Sequence, residues 1–416
     1  MRFWIGIDDT DSRKGMCTTY LAVLLMEEIK KIGKVIGFPR LIRLNPTIPF
    51  KTRGNGAVSF LAELEDLDQA LEITEKLVKE YAELENENTN PGVVFVEEEK
   101  APLLREFAEK AIKDVLRIED ALELIEKNRI DHLKFKNGRG LIGALASVGA
   151  QLNDIVYELI AYRMPEKIGK PREYDKESFY DLDFEFYPKI FDTVDWCNDV
   201  VMAVPGTPCP VLFGLRGEEP EILKKALKFV KTEPCERWQI FITNHATDMH
   251  IISSEKVEDF HSYRLIGRVV KKPYEIVGGH VFFEVQTNSG TLKCSAFEPT
   301  KQFRNIVRAL IPGDVVEVYG SVKNNTLNLE KLRIVELAKK YVELNPLCPR
   351  CGKRMESAGK GQGFRCRNCK TKATEKIKIE VPRTLEPGFY EVPPCARRHL
   401  TKPLIRINAS GRHIFR

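Results

Sequence analysis

Residues 7–19 read Ile7-Asp8-Asp9-Thr10-Asp11-Ser12-Arg13-Lys14-Gly15-Met16-Cys17-Thr18-Thr19 and join an apolar segment to an amphipathic one. Three carboxylates crowded at the end of a strand repel one another unless a cation neutralises them. Mg2+ suits that role, because it takes oxygen ligands and shares them with substrate phosphates. Lys14 and Gly15 follow in the loop, and the start of the next helix offers free backbone N–H groups to a phosphate. Thr18 stands beside that helix start, with its hydroxyl near any phosphate bound there. A purely structural reading stands beside this one: Asp and Ser form Asx-turns, and Thr18 serves as an N-cap. The loop is not a Walker A motif, because the Gly-Lys-Ser/Thr ending is absent.

Four cysteines make a second constellation. Cys348-x2-Cys351 and Cys366-x2-Cys369 are separated by 14 residues. That spacing lets four thiolates close a tetrahedral zinc site around a hairpin. Gly352, Gly359, Gly361 and Gly363 suit its tight turns. Basic residues flank the knuckles, among them Arg365, Arg367 and Lys370, and more follow at Arg397 and Arg398. Residues 341–416 alone carry a net +11. Phe364, Phe389 and Tyr390 lie among these cations and could stack on bases. A charge run is commonly a solvated face, but its coupling to a zinc hairpin points to nucleic acid.

Polar glycine loops recur elsewhere. Lys51-Thr52-Arg53-Gly54-Asn55-Gly56 and Asn88-Thr89-Asn90-Pro91-Gly92 precede strand-like segments, placing Asn55, Gly56, Asn90 and Gly92 as candidates to contact a phosphate. Gly138-Arg139-Gly140 and Gly206-Thr207-Pro208-Cys209 could form an opposing wall. Each loop taken alone is more often a turn.

The elements that must position these residues follow from periodicity. Phe3–Ile7, Val35–Leu44, Ala57–Glu63 and Val93–Glu97 read as strands, and Tyr20–Ile32 and Leu67–Glu83 as helices. The order β-α-β-β-α-β predicts a ferredoxin-like unit in residues 1–125. A second α+β region spans 126–258, with no internal repeat evident. From 259 to 338 five short strands, with a helical piece at Lys301–Leu310 after the third, predict an OB-fold rather than another small barrel. Residues 339–416 hold the zinc ribbon and a basic tail. The fold class is therefore α+β and multidomain.

Composition sets the outer bounds. The 416 residues carry a net charge of +5, which hides an asymmetry. Residues 1–261 have 35 Lys and Arg against 47 Asp and Glu, whereas residues 262–416 have 30 against 13. An acidic body with a basic C-terminal part suggests that the latter meets a polyanion. No apolar run reaches the ~20 residues that span a bilayer, and no export signal opens the chain. The expectation is a soluble, cytoplasmic protein that uses no membrane, with its ten cysteines reduced.

The run Asp8-Asp9-Thr10-Asp11-Ser12, followed by Met16-Cys17-Thr18-Thr19-Tyr20, resembles the archaeal tRNA-isoleucine agmatidine synthetases. The resemblance extends along the chain through a kinase-like domain at 1–125, a ferredoxin-like domain at 126–258 carrying the NGRGLIG and PGTPCP segments, the OB-fold and the four-cysteine ribbon. It implies an ATP-dependent ligase that joins agmatine to C2 of the wobble cytidine in isoleucine tRNA with a CAU anticodon. It further implies phosphorylation of the cytosine O2, displacement by the agmatine amine, Mg2+ held by Asp8, Asp9 and Asp11, and autophosphorylation of Thr18. Gly206, Thr207 and Cys209 become candidates for the agmatine side. Glu158, Asp181, Asp183 and Asp195 are acidic candidates for its guanidinium. Two other readings compete. In one, the OB-fold and ribbon make a non-catalytic nucleic-acid binder, which has no need of clustered carboxylates. In the other, the chain is an ATP-dependent enzyme such as an RNA ligase, which normally shows a nucleophilic lysine motif that is absent here. The sequence says nothing about oligomeric state.

Overall fold

The computed structural model describes residues 1–51, 54–254 and 256–416. The first strand, β1 (Arg2–Asp8), is followed by α1 (Thr18–Ile32), β2 (Gly33–Arg43), β3 (Gly56–Leu64), α2 (Leu67–Tyr81) and β4 (Gly92–Glu97). They form an antiparallel sheet in the order β4-β1-β3-β2, the ferredoxin-like arrangement the periodicity predicts. Leu21, Leu25 and Ile29 form the apolar stripe of α1 and are fully buried against this sheet with Ile5, Ile7 and Phe60.

Helices α3 (Arg105–Lys113) and α4 (Ile118–Asn128) lead to β5 (Asp131–Lys134), which pairs with β4. The first unit therefore runs past residue 125, because its sheet recruits a fifth strand. The stretch NGRGLIG, read from sequence as a loop, opens α5 (Gly140–Gly149), which packs on β1, β3 and β4. Only Ile142 of this helix is not fully buried. A helix apolar on every side shows no polar alternation, so its periodicity is invisible.

The second region contains β6 (Val156–Arg163), α6 (Lys176–Phe186), β7 (Ile190–Phe191), the small hairpin β8 (Val194–Asp195) and β9 (Val200–Val201), β10 (Val211–Gly217), α7 (Pro220–Ala226) and β11 (Cys235–Thr243). Its sheet order β11-β6-β10-β7 is again ferredoxin-like. The chain thus contains a topological repeat that its sequence does not announce. The two units share one nine-stranded sheet, joined where β2 and β11 pair in parallel through Arg40–Ile242 and Leu41–Thr243.

A short strand, β12 (Ile251–Ile252), leads into the barrel: β13 (Ser262–Ile276), β14 (His280–Thr287), β15 (Gly290–Ala296), α8 (Phe303–Arg308), β16 (Val315–Lys323) and β17 (Thr326–Glu336). Closure by β13–β16 pairing and by parallel β15–β17 pairing, with α8 before the fourth barrel strand, is the OB topology. Phe303, Val307 and Leu310 plug the barrel.

The chain leaves on β18 (Lys340–Leu344) and returns on β22 (Ile377–Val381), which pair as a stalk carrying the ribbon strands β19 (Glu356–Ser357), β20 (Phe364–Arg365) and β21 (Lys372–Ala373). The C-terminal segment is not a loose basic arm. Its β23 (Gly388–Glu391) extends the barrel sheet beside β17, and β24 (Arg412–His413) follows. Arg406 then pairs with Asp154 and Glu218, and Arg416 with Asp183, so the tail ties the barrel to the second unit.

Candidate functional site

The strand β1 ends at Asp8 beside Gly92 of β4, and Ile7 faces Val58 two residues into β3. Register therefore brings the loops ending at Gly56 and Gly92 to the end of β1 that carries the carboxylates. The α5 helix closes on the same point. A Cβ on Gly143 would collide with Asp8 Oδ2, and one on Gly92 would collide with the backbone nitrogen of Leu141. Glycine is needed at both positions for helix and strand to approach this closely.

The loop after β1 turns on left-handed residues at Asp9 and Met16, both with φ of 59°. Asn90 N–H donates to Asp9 Oδ2 at 3.0 Å, and the Thr89 hydroxyl donates to the Asp11 carbonyl at 2.8 Å. The Glu83 N–H donates to the Thr10 carbonyl, and Ser12 Oγ donates to Glu83 Oε2. The Thr10 hydroxyl donates to Thr18 Oγ1 at 3.0 Å, with Thr10 fully buried and Thr18 nearly so. The residue ahead of α1 is Cys17, whose side chain makes no capping bond. Thr18 is thus the first helical residue and not the N-cap. Burial, reinforced by Asp9, pushes the Asp8 carboxyl well above its usual range, and burial pushes Asp9 to about 6.

These carboxylates do not form a finished cage. Among the described residues, the only set of three or more protein ligands within 4.8 Å of one another is the four cysteines. Asp8, Asp9 and Asp11 do not converge as a three-carboxylate set. The chemistry still fits Mg2+, which typically uses one or two carboxylates and completes its shell with phosphate and water. A divalent cation would also offset the desolvation that favours protonated Asp8 and Asp9.

Lys14 is exposed, whereas Gly15 is buried, and a Cβ placed on it would lie 3.0 Å from Glu83 Oε1 and 3.9 Å from the Pro208 carbonyl oxygen. The PGTPCP loop therefore lies beside the carboxylate loop. Gly206 and Thr207 are exposed, and Cys209 is buried beneath them. Arg172 fixes this loop by donating to the Cys209 and Val211 carbonyls. The Asn55 amide donates to the Asn45 carbonyl at 2.8 Å and so closes the turn before β3. Thr52 and Arg53 lie outside the described residues. Asn90 keeps a buried amide nitrogen without a partner, next to Asp9. Three of the acidic candidates for the amine are occupied by internal partners. Glu158 meets Arg216 and Arg43, Asp183 meets Trp196 and Arg416, and Asp195 meets Asn198 and the Cys395 N–H. The fourth, Asp181, is exposed on α6.

The ribbon sulfurs all lie within 4.8 Å of one another. Each knuckle turns on a left-handed residue just after its second cysteine, Gly352 at φ 71° and Lys370 at φ 57°. Gly352 N–H donates to the Cys348 carbonyl and Lys370 N–H to that of Cys366. Met355 and Phe364 pack beneath. This donor set is that of a closed structural zinc site. Arg365, Arg367 and Lys370 are exposed on the ribbon, with Arg367 paired to Glu356. Arg397 is displaced from the proposed grip: its side chain is 4% exposed and is held between Asp192 and Glu391. Arg398 leans on Ser321 and Glu330 of the barrel. A basic residue in sequence is not a basic surface when the fold supplies buried carboxylates.

Sequence reasoning did not single out Arg43, Arg216 or His245 and left His399 as an ordinary residue, yet these gather around Glu158 between the two units. Each comes from a different segment, and Glu158 itself was named only as one of four acidic candidates for the guanidinium. Among the described residues, no helix is long and apolar enough to cross a membrane.

Family models match almost the whole chain. The TiaS TCKD domain matches residues 4–65 and 61–137, the TiaS FLD domain residues 138–250, an OB-fold nucleic acid binding domain residues 263–335, and the TiaS C-terminal zinc ribbon domain residues 345–385. The isoleucine-tRNA 2-agmatinylcytidine synthetase TiaS of Archaeoglobus fulgidus is 65% identical over 420 residues, covering all of both chains. That of Methanosarcina mazei is 49% identical, covering 97% of each. A crystal structure of TiaS in complex with its isoleucine tRNA and ATP matches with a TM-score of 0.96 at 64% identity, covering both chains fully. One of TiaS with the same tRNA, AMPCPP and agmatine matches at 0.93 and 62%, again over both chains. The chain belongs to the TiaS family of isoleucine-tRNA 2-agmatinylcytidine synthetases.

Proposed function

We propose that this protein uses ATP to join agmatine to C2 of the wobble cytidine of isoleucine tRNA bearing a CAU anticodon, acting in the cytoplasm. The observation that carries the reading is the close packing of the partly buried Asp8 against the first turn of α5, beside a loop that places Thr18 at the head of α1. A mere RNA binder gains nothing from desolvating a carboxylate there.

Cytosine O2 is a poor leaving group. Transfer of the ATP γ-phosphoryl group to it, with ADP departing, makes a good one. The agmatine amine then attacks C2, phosphate leaves with the oxygen, and the amine gives up its proton. Asp8, Asp9 and Asp11 are the residues that would hold Mg2+, which neutralises charge on the phosphates when bound. Asn90, with its unpartnered amide nitrogen, and Gly92 would approach the phosphates, as would Gly15. Thr18, at the head of a helix with an uncapped start, would accept a phosphoryl group.

The wobble base must leave the anticodon stack to reach this cleft, so the RNA has to be gripped elsewhere. The ribbon's Arg365, Arg367 and Lys370 are exposed for that task. The Gly206–Cys209 loop facing Gly15 is where the amine would enter, within a body whose net charge of −12 favours a dication. The reading is tested with ATP, Mg2+, labelled agmatine and the CAU-anticodon tRNA. Label retained in the RNA is expected; a folded protein and chargeable tRNA that retain none would sink the reading.

A further inference from the structure

At the seam of the nine-stranded sheet, Glu158 of β6 meets two guanidiniums. Arg216 Nε lies 3.2 Å from Oε1, and Arg43 Nη2 lies 3.7 Å from Oε2. His245 Nδ1 is 3.4 Å from Oε2. The Arg43, Arg216, Glu158 and His245 side chains are only 15, 16, 4 and 4% exposed. Burial, with Arg216 next in weight, pushes His245 down to about 3, so it is neutral. His399, whose ring meets that of His245 edge-on at 4.8 Å, is also pushed below its usual range, mainly by burial. Among the described residues, one carboxylate therefore faces two guanidiniums, and one positive charge has no carboxylate partner in a largely desolvated place.

A saturated structural ion pair uses its polar atoms fully. Here Arg43 Nε, Glu158 Oε2 and His245 Nδ1 are buried without an aligned hydrogen-bond partner among the described residues. The guanidiniums are nevertheless fixed. Asn244 clamps the Arg43 backbone from the other unit, accepting from its N–H at 2.7 Å and donating to its carbonyl at 2.9 Å. The Gly54 backbone passes close beside them, since a Cβ there would fall 2.8 Å from Arg43 Nη1 and 3.0 Å from His399 Nε2. Guanidiniums in surplus over carboxylate among the described residues match the fork geometry that binds phosphate.

We propose that Arg43 and Arg216 form a phosphate-binding site at the seam, positioned by Glu158 and charge-balanced only when a phosphate is bound. It rests on the tRNA-modifying reading, which supplies two carriers of that group. One is a phosphodiester of the RNA whose base enters the cleft. The other is the phosphoryl group handled at the head of α1.

The full-length protein and its Arg216→Gln and Glu158→Gln variants test this with inorganic phosphate as the probe. Phosphate is expected to raise the wild-type Tm, the rise to vanish in R216Q, and the rise to grow in E158Q, where the competing carboxylate is gone. A structural ion pair predicts the reverse for E158Q, a lowered Tm with no gain in phosphate response, and that result overturns the proposal. So does a wild-type Tm indifferent to phosphate.

Two further measurements identify the carrier. If it is the RNA, R216Q weakens tRNA binding about 10-fold and lowers its salt slope by about one, while Thr18 labelling from ATP without tRNA persists. If it is the phosphoryl group, Thr18 labelling falls about 10-fold and the salt slope holds. R216Q that leaves both unchanged overturns the proposal. Failure of the wild type to incorporate agmatine overturns the activity reading instead, and the phosphate response is still measured by itself.

Discussion

The ribbon's four thiolates come from two turns within residues 348–369 and already lie within 4.8 Å of one another. The carboxylates of the cleft have a different architecture. Asp8 ends β1, Asp9 is held by Asn90 ahead of β4, the covering glycine is Gly143 of α5, and the facing loop at Pro208 belongs to the second unit. They are partly buried and do not converge as a set of three. The difference separates a site that the protein completes by itself from one that is left open for substrate to finish. Closed tetrahedral sulfur supports a fold, whereas open, desolvated oxygen is kept for charge that arrives with the reactants.

The largest expected effect breaks the open site alone. Asp8→Asn or Thr18→Ala should lower agmatine incorporation by about 10³-fold or more, as removal of groups that handle a transferring phosphoryl does. The tRNA Kd should stay within about 2-fold, because no RNA grip is touched. Label incorporation and filter binding measure the two. Next comes the closed site. Chelating the zinc, or Cys366→Ser, should unfold the ribbon on its stalk and weaken tRNA binding about 10–100-fold, the loss of two or three phosphate contacts. Thr18 labelling from ATP alone should persist. If chelation also abolished that labelling, the two sites would not be separable.

The same contrast decides what the sequence could reveal. Cys348, Cys351, Cys366 and Cys369 were legible because both ligand spacing and turn chemistry are local. The first β-α-β-β-α-β unit and the OB strands were legible because amphipathic alternation survives wherever one face meets solvent. Asp8, Asp9 and Thr18 were legible only as a run of suspicious types. Their burial depends on α5, which is apolar on all sides and so has no readable phase. The second ferredoxin-like unit was expected from the family resemblance and not from periodicity, because β7 spans only Ile190–Phe191, too short for any period. Arg397 misled because Asp192 and Glu391, distant or unpatterned in sequence, bury its charge. The Arg43–Glu158–Arg216 cluster left no local trace at all, since one residue comes from each of three strands.

A smaller effect tests how tightly the open site is built. Gly143→Ala places a methyl where Asp8 Oδ2 already sits, so either the carboxylate or α5 must move. Overpacking of this kind costs about 1–3 kcal/mol. Incorporation should fall roughly 10-fold, with a lowered Tm. An Ala variant with wild-type Tm and rate would show that Asp8 turns away freely, and that its burial serves no purpose.

The smallest effect separates exposed from buried arginine. Arg365 stands on the ribbon surface among the described residues with no carboxylate partner at ion-pair distance, so Arg365→Ala removes a charge that only a polyanion uses. The tRNA Kd should rise about 3–10-fold and the salt slope should drop by about one, with no change in Tm or in Thr18 labelling. Arg397→Ala should do the opposite. It leaves Asp192 and Glu391 facing each other without their shared cation, so Tm falls while the salt slope of the protein that remains folded is unchanged. Titrations of both variants at several salt concentrations, beside thermal melts, measure this. If Arg397→Ala lowered the salt slope and Arg365→Ala did not, the RNA would be gripped by the tail and not by the ribbon, and the closed site would lose its assigned purpose.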